Sequence, residues 1–444
     1  MKIFKICFQN FLQKIVILLF FLKFYSSKMN YIKIPFKNSR SILNLPKDAT
    51  SQQIMEYLIE TDITIDIKVG TSPQIIPMSL SLWNKYIYIT SNILNIGVYD
   101  KDKSSSFNSK NEEPLGDQSY FREGLYCTEI FIFDSDTKIK IENTSFILTT
   151  QMEYPTEYRK GLIGFQMTSY KQEETLINQL KSKDIINTYY HFILFEKEDE
   201  GIFVIGAPPH EYNPKKFSYN EFRQDNVRQI TQSWELNLIN IRYGDITFED
   251  KIFDLDYRFG LISVGVNMKN EYYNDFFEKR IKSGICEETL FNNYYIYSCI
   301  NDDKKVKFKE LKDFHFFNFY LEFDFVFTYK DLFITFNNRK YFLITYKINS
   351  ITTILGKPFF RKYTIVFNPD NKQIGHYIKI ENEMVKHRNY KEIIILIIII
   401  IILIMIIISL FLISFKLYGR KKRKNELNDN YDYIPDEKNS IGVE

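Results

Sequence analysis

VGTSPQIIPMSLSLWNKYIYITS, residues Val69 to Ser91, is the stretch whose reading decides the fold. Just before it, Thr64 to Val69 alternates apolar and polar side chains, the two-residue period of a half-buried strand. Gly70 and Pro73 punctuate a turn. Tyr86 to Ile89 is β-branched and aromatic and predicts a second strand. A weaker copy of this logic runs from Phe259 to Phe276.

Outward from there the chain reads as many short strands between Gly, Pro and polar turns, which means mostly β. Tyr126 to Phe133 and Thr137 to Leu148 form an expected hairpin, and Phe192 to Phe195 and Ile202 to Ile205 are further strands. Glu235 to Ile241, Ile262 to Val266, Phe323 to Phe327 and Leu332 to Phe336 are strand-like in the second half. Glu173 to Ile186 and Tyr272 to Ile281 read as helices. Lys101 to Gln118 is polar and reads as a surface loop, and Tyr31 to Tyr57 has no strong period. Gly161 to Gly164 and Ile354 to Gly356 each come late in their half, so two similar lobes are expected.

With 444 residues the chain can build more than one core, and its net charge of +3 is too small to argue for nucleic acid. Lys2, Lys5 and Lys14 precede a short apolar run, Ile15 to Leu22, the pattern of a secretory signal, either cleaved near Ser26 or kept as an anchor. Ile393 to Phe415 is uncharged and apolar enough to cross a bilayer, and Lys416 and Arg420 to Lys424 follow it. The positive-inside rule places the tail in the cytoplasm and the body in the lumen or outside the cell, a single-pass type I protein. Cys286 and Cys299 lie close in sequence and are expected to pair in that oxidising compartment. Cys127 is left as a buried thiol or an intermolecular partner. Asn143-Thr144-Ser145 is a glycosylation sequon. In the tail, Tyr431 and Ile434 fit a tyrosine-based sorting pattern.

The order of motifs resembles the pepsin-like aspartic peptidases from about Thr64 to Ile378. Val69 to Gln74 stands where that family has its Ile-Gly-Thr-Pro-Pro-Gln turn. Gly161 to Gly164, the helix at Thr175 to Ile185, Ser233 to Leu238 and the closing Ile354 to Gly375 all have counterparts. Cys286 and Cys299 fall where the second lobe of the family carries its disulfide. The resemblance implies a bilobal β fold with a central cleft and two Asp-Thr/Ser-Gly signatures, one per lobe, whose carboxylates share a proton.

Counting from Gln74 sets the first signature on Ser81-Leu82-Trp83, and the family pattern sets the second on Ser263-Val264-Gly265. In this register both aspartates are serine. Trp83 replaces a signature glycine, Gly265 keeps the other, and Asp117 to Tyr120 replaces the flap, with Tyr120 as the one candidate flap tyrosine. Asp254 and Asp256 share one face of a strand just before the second site and read either as a solvated edge or as a relocated dyad. His210-Glu211 opens like a zinc-protease motif, but Pro214 stands where its second histidine belongs. No metal, cofactor, phosphate-loop or dinucleotide motif is found.

The sequence therefore predicts a signal at 1–27, an N-terminal segment at 28–61 and lobes at 62–230 and 231–380. A linker at 381–392, a transmembrane helix at 393–415 and a cytoplasmic tail at 416–444 follow. The expected function is a catalytically inactive peptidase homologue whose cleft binds a peptide or protein. The alternatives are an active aspartic endopeptidase of the secretory or endolysosomal pathway and a structural surface protein.

Overall fold

A computed structural model describes residues 30–91, 99–110, 121–133, 138–152, 161–167, 175–227, 233–236, 240–249, 253–318, 323–348 and 353–377. The expected signal, flap residues Asp117 and Tyr120, transmembrane helix and sorting residues Tyr431 and Ile434 lie outside them. Among the described residues no helix is long and apolar enough to cross a membrane.

The protein is mostly β. Among the described residues its largest sheet has 13 strands, a second has nine and a third has four. The hairpin of Phe121–Phe133 and Ile139–Met152 is present and longer than the sequence suggested. Cys286 and Cys299 face each other across the hairpin of Cys286–Phe291 and Tyr294–Ile300 and are joined as a disulfide. Cys127 is a buried free thiol, and burial pushes it up to about 11.

The stretch without a strong period is ordered after all. Ile32–Asn38 alternates buried and outward residues and forms a strand between Glu200–Ile205 and Ile63–Val69. Ser51–Ile59 is a helix that starts on a capping box, Thr50 with Gln53. Its buried Ile54, Met55, Leu58 and Ile59 pack with Phe259, Leu261 and Tyr294. The strand carries a two-residue alternation interrupted only by Pro35, a residue that argues against a strand, and the helix is too short to advertise a period.

Two other expectations shift. The strand foreseen at Ile262 to Val266 ends at Ser263, and a helix begins at Val266 with Gly265 as its N-cap. The helix foreseen at Glu173 to Ile186 is confined to Leu176–Ser182, capped by Thr175.

The first and last described strands, Ile32–Asn38 and Gln373–Tyr377, belong to the same large sheet. Val366–Asn368 pairs with His191–Phe195 and Gln373–Tyr377, and the latter pairs with Phe222–Asn226. A buried polar knot joins the same regions: Asp199 accepts from Asn38 at 3.0 Å, bonds Ser41 and ion-pairs with Lys357.

Candidate functional site

The two halves repeat one arrangement of strands. In the first, Gln74–Ser81 runs parallel to Gly161–Gly164, with Ser81 opposite Gly164. Ile87–Thr90 lies antiparallel on the other side of Gly161–Gly164, with Ile87 opposite Ile163 and Tyr88 opposite Leu162. In the second, Phe253–Leu255 runs parallel to Thr353–Leu355, and Ile262–Ser263 lies antiparallel on its other side. Ile262 is opposite Leu355, and Ser263 is opposite Ile354.

Matching Gly164 to Gly356 aligns these strands residue by residue. Leu80 then matches Leu255, Ser79 matches Asp254, and Ser81 matches Asp256. The same number of residues separates Ser81 from Ile87 and Asp256 from Ile262. The amide of Asp256 donates to Leu355 O at 3.3 Å and extends the ladder to that point.

The glycines confirm the match by sterics. A Cβ on Gly164 would lie 2.2 Å from the carbonyl oxygen of Asn84, and one on Gly356 would lie 2.1 Å from that of Phe259. Asn84 and Phe259 hold the same place in their loops. Gly265 is different, since a Cβ there would meet nothing within 4 Å.

The expected register of the second site is therefore corrected. Ser263 lies on the strand that matches Ile87–Thr90, where its counterpart is Tyr88 rather than Ser81. The residue at the second signature position is Asp256, followed by Tyr257 and Arg258. Gly265 caps a helix and is no part of the turn. The sequence reading followed the surviving glycine. Asp256-Tyr257-Arg258 keeps only the aspartate of its signature, so the pattern alone could not mark it. The spacing from Ser81 to Ile87, laid over the second half, was the signal that could have found it.

The two positions are held alike. The amide of Trp83 donates to Ser81 Oγ at 3.2 Å, and that of Arg258 donates to Asp256 Oδ1 at 2.9 Å. Ser81 is sealed from solvent, and its hydroxyl donates to Asn84 Oδ1 at 2.8 Å. Asp256 also has the Arg258 Nε at 3.7 Å. Trp83 and Arg258 each stand two residues beyond the matched positions, and Trp83 Nε1 is buried without a hydrogen-bond partner.

A cavity of about 510 Å³ opens where the halves meet. Asp62, Ser79 and Gly161 line one side, and Asp256, Arg258, Tyr294, Lys347 and Ile354 line the other. Arg40 and Glu60 of the N-terminal segment complete its wall. Asp62 accepts from Ser79 at 2.5 Å and from Ser39 at 3.0 Å. Asp254 lies two residues before Asp256 and opposite Glu235 on Glu235–Leu236. Burial, the Glu235 carboxylate and Asp256 push Asp254 up to about 6.

Two matching parallel-and-antiparallel strand sets around a charged junction make a mostly β protein in which one local arrangement occurs twice. The chain belongs to the eukaryotic aspartyl protease family, whose model matches residues 64–377. A search of curated proteins found no match.

Proposed function

We propose that this protein is a membrane-anchored member of the aspartyl protease family that binds a peptide or protein segment in its junction cleft and does not hydrolyse it. The observation that carries this reading is the match of Ser81 with Asp256. Hydrolysis in this family uses two carboxylates that share a proton, one to activate water and one to protonate the carbonyl. Here one position holds a buried neutral hydroxyl committed to Asn84. The other holds a carboxylate with the Arg258 guanidinium 3.7 Å away. Losing one general acid–base group typically costs roughly 10² to 10⁴-fold in rate. Trp83 and Arg258 stand where small residues leave room for substrate.

The signal at 1–27, the apolar run at 393–415 and the basic residues after it support a type I topology with a lumenal or extracellular body. Asn143 is exposed at an irregularity of the strand Ile139–Met152, where its φ is 52°, and exposure is what glycosylation there requires.

The purified full chain, given internally quenched peptides from pH 3 to pH 7, is expected to bind peptide saturably and cleave none of it. Cleavage that a statine-type inhibitor stops overturns the reading. It would favour the second reading, an aspartic endopeptidase, for which the retained Asp256 is the supporting observation.

A further inference from the structure

We propose that Glu235 and Asp254 form a subsite in the second-lobe wall of the cleft for one cationic group, the ammonium or guanidinium of a peptide side chain. This rests on the peptide-binding reading above. The row begins with Glu235, which is the cross-strand partner of Asp254. Asp254 is in turn the partner of Ile354. Paired residues of neighbouring strands point to the same face. Ile354 lines the junction cavity, and so does Asp256, two residues beyond Asp254 on its chain. The two carboxylates therefore lie on the same sheet face as those two lining residues, next to them along the sheet.

Among the described residues the pair lacks a counter-charge. Like charges directly opposite each other destabilise a sheet, yet neither carboxylate forms an ion pair among the described residues. Glu235 is only 6% exposed, and its Oε2 is buried with no hydrogen-bond partner. It stands directly across the strand pair from Asp254, and its carboxylate helps to raise that neighbour. Asp256 differs, because Arg258 offsets it. A buried carboxylate without a partner is costly, and one organic cation between the two would satisfy both. A chelated metal ion fits less well. Among the described residues no group of three or more His, Cys, Asp or Glu side chains is placed to hold one.

The test uses the full chain in detergent at pH 7.5 and two labelled, acetylated octapeptide pools. The pools are identical except that one carries lysine where the other carries norleucine. Fluorescence anisotropy is expected to show the lysine pool binding about tenfold tighter, the size of one hydrogen-bonded charge contact. Glu235→Gln with Asp254→Asn is expected to bring the lysine pool down to the norleucine level. Equal binding of both pools by the unaltered protein overturns the subsite and leaves the peptide-binding cleft standing. Binding of neither pool overturns both. A lysine preference that survives the double substitution, or Glu235→Gln alone if the double variant does not fold, also overturns the subsite.

Discussion

Ser81 and Asp256 end matching strands, opposite matching glycines, and each accepts an amide from the residue two places on. Yet Ser81 is shut away from solvent, while Asp256 lines an open cavity beside a guanidinium. The neighbours diverge as well. Ser79, which hydrogen-bonds Asp62, matches Asp254, which faces Glu235. Phe165, buried in the core after Gly164, matches Lys357, buried in an ion pair after Gly356. The backbone frame has kept its two-fold likeness while the chemistry of its halves has separated. Packing holds the frame, and nothing in the frame demands a carboxylate.

The largest effects test the match itself. Gly356→Ala drives a Cβ against the backbone oxygens of Phe259 and Leu261, at 2.1 and 2.3 Å, where no flexible side chain can give way. A loss of more than about 3 kcal/mol in urea unfolding is expected, with Gly164→Ala behaving alike. Gly265→Ala is expected to change stability by less than about 0.5 kcal/mol. If Gly265→Ala proves as damaging as Gly356→Ala, the correspondence of the halves is broken.

Lys357 sharpens the contrast with Phe165. Lys357→Met leaves Asp199 partly buried without its cation and is expected to cost about 3 kcal/mol. Adding Asp199→Asn is expected to restore most of that, because a buried pair is far costlier to split than to remove. A double variant no more stable than Lys357→Met would assign the loss to packing instead.

The smallest effect is graded by pH and involves one histidine near each half. His191 stacks on Phe165 at 5.0 Å, and His376 packs against Phe323 at 4.5 Å. Burial pushes both down to about 3. The fold holds them neutral, while the unfolded chain takes up protons near pH 6.5. Their contribution is therefore complete above about pH 6.5 and is lost as pH falls toward 3, by about 1 kcal/mol per pH unit each. Asp254 runs the other way. Its folded value of about 6 lies above the unfolded one, so its contribution is complete below about pH 3.9 and is lost as pH rises through 6. Unfolding temperature is expected to fall between pH 6.5 and pH 4, and His191→Phe is expected to flatten the slope. An unchanged slope in that variant would remove His191 from this account.

Much of this fold was legible in the sequence because alternation and turn residues are local signals. Thr64 to Val69, Phe192 to Phe195 and the closing Ile354 to Gly375 needed no partner to be recognised. Ile32–Asn38 was missed although Ile32, Ile34 and Phe36 alternate with Lys33, Pro35 and Lys37, because Pro35 inside the run argues against a strand. For the first site, the run from Gln74 is unbroken, so counting along it leads to Ser81. The second was misplaced because Tyr257 and Arg258 replaced the residues that mark a signature, and Gly265 supplied a false one. Only the pairing of Ile262 with Leu355 resolves it.

The strand Val366–Asn368 has a consequence for how the chain can be divided. It covers one side of His191–Phe195, which belongs to the first half. A fragment that stops near residue 230 would leave that side as a bare row of amides and carbonyls, a template for pairing with another copy. One that begins near residue 62 would lack Ile32–Asn38 and bare the flank of Glu200–Ile205. Neither half can be produced alone as a clean, soluble piece, and a cut between the halves would release nothing while those strands stay paired.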